Sequence, residues 1–406
     1  MHSIVPDSIN VFNRPRWCTL TPQYHNASRR ADLSKHNKYT PVIAGHSKSV
    51  VNDKMRAVSV ESAVATSVVA LTGLLGAVWM YQRHRNTQKD NKPPAEWREV
   101  ATIQKIHLYP LKSGRRVELQ SAECTKFGLK HNSRYEKALQ LYDRSFLVVG
   151  AENGEFKTAR TFPKMVLIEV GVHDEWHVSF EAPGMRQLYV KIPKEGDVKA
   201  TKITLHQKEE IFALDCGDEA ASWCSRYIYG KDTGLRLVFH DAADEHKRDL
   251  RPTHQKMLNN YTELNTSTGL YSDLTAVMMI NQASIDDLNT KIESDTVITS
   301  ENFRPNLIIS GDGAPPFIED YWAWIKIGDV ILKNVKPCTR CMFTTIDPEN
   351  GTRNQDREPL HTLEKYRKLK NVLHKEYEGE LTVMGAMLGV HQGGEINVGD
   401  TIYVGI

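Results

Sequence analysis

Hydrophobic positions change their spacing three times along this 406-residue chain. Through about residue 61 they are scattered, with no sustained period. From Ser62 to Gln82 no charged side chain occurs, and Val64, Val68, Val69, Leu71, Leu74, Leu75, Val78 and Trp79 make the segment apolar on every face. At about 1.5 Å per residue it is long enough to cross a bilayer's hydrocarbon core as one helix; a buried core helix is ordinarily shorter and keeps a polar stripe. Asn91-Lys92-Pro93-Pro94 reads as a linker, and beyond it alternation takes over.

Ile106 and Leu108 alternate ahead of Tyr109-Pro110, and Leu139 to Val149, Met165 to Val172 and Trp176 to Ile192 are further β-rich runs. The period then shifts to that of a helix: Asp218 stands at a capping position before Ala220, Trp223, Cys224, Tyr227 and Ile228, and Gly230 ends the run. Trp223 and Cys224 are packing residues on that pattern. Strand signals return at Leu235 to His240, Ala276 to Ile280 and Leu307 to Ser310, with a short helix opened by Ser284 and Asp287 between them. Gly-Asp hairpins at Ile325 to Leu332 and Ile396 to Val404, with a helix over Pro359 to Leu369, complete the pattern. Many short strands and few helices predict a mixed α+β, mainly β fold containing a β-barrel. The expected order is a leader at 1–61, a membrane helix at 62–82, a linker at 83–99, a β-rich domain at 100–215 and a second domain at 216–406.

Charge refines the N-terminal picture. Residues 1–60 are basic, poor in acids and contain Ser, the composition of a targeting or disordered leader, and Met55 is a second candidate start. Arg83, Arg85, Lys89 and Lys92 behind the apolar segment outnumber Lys54 and Arg56 before it, so the C-terminal side is expected in the cytosol. The whole chain carries a formal charge of only +2, which gives no general reason to expect nucleic acid. Six cysteines in so long a chain form no disulfide framework.

Candidate chemistry concentrates in Lys336-Pro337-Cys338-Thr339-Arg340-Cys341-Met342-Phe343-Thr344-Thr345-Ile346-Asp347-Pro348. Two thiols and a guanidinium lie within four residues, and the β-branched tail predicts a loop feeding a strand over Phe343 to Ile346. A thiolate beside Arg340 would bind a soft metal or attack an electrophile. A structural zinc site would need two more ligands, and no second Cys or His pair stands at zinc-finger spacing. A thioredoxin-like dithiol would need a helix directly after the motif. Nothing in the chain supplies electrons: there is no Gly-x-Gly-x-x-Gly after a strand, no Cys-x-x-Cys-His and no iron–sulfur cysteine series.

The Pro-Cys-x-Arg-Cys block followed by Thr-Thr-Ile-Asp-Pro-x-x-Gly resembles the molybdenum-ligand segment of the MOSC family, especially its mitochondrial amidoxime-reducing branch. The resemblance extends over about residues 100–406. It implies a MOSC-type β-barrel with a β-rich MOSC N-terminal domain, and a molybdenum cofactor (Mo-molybdopterin) whose metal is bound by Cys341. Tyr109-Pro110-Leu111-Lys112-Ser113, Tyr142-Asp143-Arg144, Phe303-Arg304-Pro305-Asn306 and Thr339-Arg340 are similar to family blocks. They imply cofactor contacts at Lys112, Ser113, Arg144, Arg304, Asn306, Thr339 and Arg340. A phosphate tail and hydrogen-bonding fused rings call for such cationic and polar groups. Thr158-Ala159-Arg160 is the weakest of the matching segments.

Ser272-Asp273 matches a family element that implies a carboxylate near the metal, where Asp273 would serve as catalytic proton relay. Two departures from the family are the longer, charged segment between Gly128 and Asp143, and Leu274-Thr275-Ala276 in place of Thr-Ser-Pro. The resemblance implies an oxidoreductase of the mitochondrial outer membrane that reduces amidoximes, hydroxylamines and N-hydroxyguanidines, with nitrite a further candidate. Its implied partners are the lipid bilayer, a membrane-bound b-type cytochrome and its NADH-dependent reductase. The alternatives are a non-enzymatic cofactor carrier and a sulfur-transfer protein, the latter disfavoured because no upstream pyridoxal-phosphate domain has room.

Overall fold

The computed structural model describes residues 92–132, 141–198, 200–370, 375 and 378–406. The leader at 1–61, the helix at 62–82 and most of the linker lie outside the described residues. Among the described residues no helix is long and apolar enough to cross a membrane.

Seven strands close into a barrel. Around the wall they run Leu307–Ser310, Val277–Asn281, Val383–Gln392, Val330–Thr339, Trp324–Ile327, Thr401–Gly405 and Trp97–Leu108, and the last returns to pair with the first. Closure leaves no free edge. Every pairing named is antiparallel except that of Val277–Asn281 with Leu307–Ser310. Trp97–Leu108 joins one strand roughly two hundred residues away and another roughly three hundred away, so the barrel includes a stave that sequence order would assign to the preceding domain. The first domain likewise takes a strand from beyond residue 215: Leu235–Phe239 lies between Phe146–Gly150 and Glu210–Asp215 in a four-stranded sheet, with Ala200–Thr204 outside.

Strand alternation builds two apolar layers. Val277, Met279, Leu307 and Ile309 join one core with Ile325, Leu332, Leu388 and Ile402, while Met278, Ile280 and Ile308 point the other way. They pack with Ile285, Leu288 and Leu363 of the covering helices Gln282–Asn289 and Leu360–Tyr366, and Cys338 belongs to this second layer.

The Asp218–Tyr229 helix forms where its periodicity predicts and stops at Gly230 in the left-handed region, but its N-cap is Gly217, with Asp218 in the first turn. The Gln282–Asn289 helix starts before Ser284 because the Asn281 side chain accepts from Ala283 N. The larger correction concerns the cysteine block. It ends a strand instead of feeding one: Val330–Thr339 runs through Cys338, and Met342–Thr345 is a 3-10 turn. The hydroxyls of Thr344 and Thr345 donate to the carbonyls of Cys341 and Met342, at 3.0 and 2.8 Å, and this back-bonding outweighs the β-propensity of the sequence.

Candidate active site

The end of the Val330–Thr339 strand carries the two cysteines into different surroundings. Cys338 is buried in the second apolar layer, and burial pushes its thiol up from the ordinary range. Cys341, at the N-cap of the 3-10 turn, is exposed. Arg340 between them is buried, and its guanidinium holds the loop. Nε and Nη2 donate to Met384 O at 2.9 and 2.5 Å and Nη1 to Phe303 O at 3.0 Å, over the Phe303 ring. Nη2 also reaches Met278 Sδ at 3.7 Å, so all three nitrogens are engaged within the protein. Met384 approaches because Gly385 adopts φ +77°; a Cβ there would lie 2.5 Å from Met279 O.

Beside Cys341 opens a cleft of about 1020 Å³, part of it continuous with solvent. Lys112, Ser113, Arg144, Asp273, Arg304, Asn306, Thr339, Arg340 and Cys341, all nine residues singled out from the sequence, line it, and so do Thr158 and Arg160. They arrive from both domains. Ser113, Arg144 and Arg304 hold φ of +70°, +51° and +57°, a region costly for residues with a Cβ. Such strain persists where surrounding contacts fix it and concentrates at working sites.

The cationic floor rests on one aromatic ring. The guanidinium carbons of Arg144 and Arg304 lie 4.5 and 4.1 Å from the Tyr109 centroid. Arg144 pairs with buried Asp143 and donates to Arg304 O at 3.1 Å. Arg304 Nη1 donates to Gly114 O at 2.6 Å, but its Nη2 is buried without a partner. Burial, with the neighbouring Arg144 charge added, lowers Arg304 to about 10. A buried cation with a spare donor asks for an anion or an acceptor. Asn306 differs from these. Its amide accepts from Met278 N at 3.0 Å and donates to His107 O and Asp143 Oδ1 at 3.2 and 3.0 Å, so it braces the floor and offers a ligand little.

The same cleft holds a cluster built across the domains. Asp273 accepts from the buried Lys112 ammonium at 2.5 Å and lies 3.4 Å from His206 Nε2. Crowding around Asp273 would raise its pKa, but Lys112 and His206 outweigh that and hold the carboxyl well below the usual range. Burial lowers Lys112 and Asp273 raises it. Asp273 thus stays a carboxylate through the neutral range. His206 is also 3.2 Å from Arg160 Nη2, and its ring sits edge-on to Phe156 at 4.4 Å.

The backbone carrying Asp273 is clamped by Arg248, which takes Glu209 in a bidentate pair at 2.7 and 2.8 Å and donates to Ser272 O at 2.8 Å and Leu270 O at 3.2 Å. Both ends of this pair are buried. Sequence reasoning missed His206, Glu209 and Arg248. None lies in a motif, and only folding brings them to Asp273.

Residues 100–231 match the MOSC N-terminal beta barrel domain and residues 267–403 the MOSC domain. The chain is 32% identical over 341 residues to mitochondrial amidoxime-reducing component 1 of Mus musculus, covering 84% of this chain and 91% of that protein. It is 31% identical to the Danio rerio component 1, covering 87% of this chain and 97% of that protein, and 32% identical to the Homo sapiens component 1, covering 84% and 93%. The chain belongs to this MOSC family. The site's chemistry fits the family cofactor. An exposed thiol at a rigid strand end suits a soft metal, and the unpartnered Arg304 donor with Lys112 and Arg144 suits the anionic, acceptor-rich remainder of a pyranopterin. Among the described residues the one His/Cys/carboxylate cluster of metal-binding spacing is Glu195, Asp241 and His246, away from both cysteines of the block. Among the described residues no second thiol pairs with Cys341, and Cys338 is turned into the apolar layer.

Proposed function

We propose that this MOSC protein is a molybdenum-cofactor oxidoreductase that reduces N-hydroxylated compounds: amidoximes first, then hydroxylamines and N-hydroxyguanidines, with nitrite as a further substrate. The observation that carries this is the meeting in one cleft of an exposed Cys341, a buried unpartnered Arg304 donor and the Lys112–Asp273 pair, which His206 contacts. When bound, the cofactor supplies two-electron exchange at molybdenum. Cys341 would anchor the metal, Lys112, Ser113, Arg144, Arg304 and Thr339 would hold the pterin and its phosphate, and Arg340 and Asn306 would keep the frame rigid around them.

Cleaving an N–O bond to amine and water consumes two protons along with two electrons. Asp273, held ionised by its cationic neighbours, orients the donor beside it. His206 is 31% exposed and is the group that can collect a proton from solvent and present it beside that carboxylate. Arg248 keeps the Asp273 backbone in place.

The relatives' names place those proteins in mitochondria, and the charge-free segment 62–82 supports a membrane anchor. We therefore extend the proposal to the mitochondrial outer membrane, with the domain facing the cytosol and electrons arriving from an NADH-dependent b-type cytochrome chain. Purified residues 93–406 reconstituted with cofactor should contain molybdenum and reduce benzamidoxime with an artificial donor. Bound molybdenum without turnover would leave a carrier in place of an enzyme.

A further inference from the structure

Beyond the Thr158–Arg160 lip of the cleft lies a second concavity. It encloses about 600 Å³ of space, partly open to solvent, and is lined by Phe156, Lys157, Phe162 and Tyr229 with Thr158 and Arg160 themselves. Thr158 and Arg160 therefore face both spaces. The groove is firmly built. Phe156 N donates to Thr204 O at 3.2 Å and Lys157 N to Val148 O at 2.8 Å, which ties the segment to the four-stranded sheet, and Phe162 N closes a turn on Thr158 O at 3.0 Å. Phe162 and Tyr229 form a tilted ring pair 5.3 Å apart, and the Phe156 ring meets the His206 that also contacts Asp273. All three aromatic side chains keep part of their surface in solvent.

Aromatic walls that stay partly in solvent offer a planar ring more than they offer water. Charge narrows the class. Lys157 has only a loose carboxylate neighbour, Glu155 at 4.0 Å, and Arg160 adds a second cation at the lip. The groove therefore disfavours cations and favours an acceptor or anionic substituent.

We propose that this groove is the subsite for the substrate's tail: an aromatic ring bearing an acceptor or anionic group, attached to an N-hydroxylated head that lies in the cleft. The inference rests on the N-hydroxy reductase reading for the head but not for the groove itself. An amidine product is cationic where its amidoxime was neutral, so Lys157 and Arg160 also favour its release. The selectivity device belongs wholly to the N-terminal domain.

Phe156→Leu keeps apolar bulk while removing the aromatic face, and Lys157→Ala removes the cation without touching the sheet. With the holo protein, the kcat/KM ratio of 4-carboxybenzamidoxime to hydroxylamine should fall at least fivefold in each. Calorimetric titration with 4-carbamoylbenzoate, which carries no N–O bond, should show a matching loss of affinity. If the protein reduces neither compound yet binds 4-carbamoylbenzoate in a manner sensitive to both substitutions, the subsite stands and the reductase reading falls. An unchanged ratio and unchanged affinity in both variants overturn the subsite. A fall in pterin content on Phe156→Leu also overturns it, because the groove would then belong to the cofactor.

Discussion

The two walls of the cleft are built on different principles. On the barrel wall, Arg340 and Asn306 are buried and anchored to backbone carbonyls of neighbouring strands, and Arg304, nearly buried, to the carbonyl of Gly114 in a loop. On the facing wall, Arg160 and His206 sit half-buried on short loops, and their partners are other titratable side chains. A ligand that must be held permanently suits the first wall, because its donors are fixed before the ligand arrives. Proton movement and choice of substrate suit the second, whose groups can exchange partners at little cost. The difference teaches that cofactor retention and turnover should be separable by mutation, wall by wall.

The most severe test is on the barrel wall. Cys341→Ala should lose molybdenum and reduce activity by more than about a thousandfold, while Cys338→Ala keeps both metal and most activity, its cost being a small cavity on the order of 1 kcal/mol of stability. Metal analysis and amidoxime reduction on the two variants side by side decide it; equal losses would return the pair to a zinc or dithiol site.

Next in size is the clamp beneath the facing wall. Arg248→Met leaves Glu209 buried and uncompensated, a loss of roughly 3–5 kcal/mol. Urea denaturation should show that loss, and Glu209→Gln in the same chain should restore part of it. A midpoint within experimental error of the parent would make the pair dispensable.

On the facing wall itself, Asp273→Asn should retain molybdenum but slow reduction by about ten- to a hundredfold. Because the folded carboxyl lies well below its unfolded value, the stability it contributes is complete above the ordinary Asp range and is lost as pH falls through the folded pKa. Acid unfolding of parent and variant should therefore converge only in strong acid, and a gap confined to neutral pH would contradict the ion pair.

The smallest effect belongs to His206→Gln. A loss of about three- to tenfold in the rate is expected, with molybdenum unaltered. A rate identical to the parent's would remove His206 from proton delivery.

What the chain determined by itself was local. The apolar runs at Val277–Asn281 and Leu307–Ser310 and the turn residues at Gly328 and Gly399 are properties of neighbouring residues, so the β-barrel class was legible, whereas the nine residues that line the cleft were picked out by the resemblance of their short blocks to a family. Local propensity misled at Phe343–Ile346, where threonine hydroxyls bonding back to carbonyls made a turn from a β-branched run. The helix expected at 62–82 stands outside the described residues.

Tertiary structure decided how the residues divide the work. Lys112 and Asp273 are 161 positions apart, Arg304 and Gly114 190, and Glu209 and Arg248 39, so no window along the chain holds both ends of a pair. Cys338 and Cys341 look alike in sequence; the strand that ends at Thr339 buries the first among Met278, Ile308 and Met384, and the turn beyond it leaves the second in the open. Burial and charge pairing are sums over everything that surrounds a group, and those surroundings exist only once the barrel has closed.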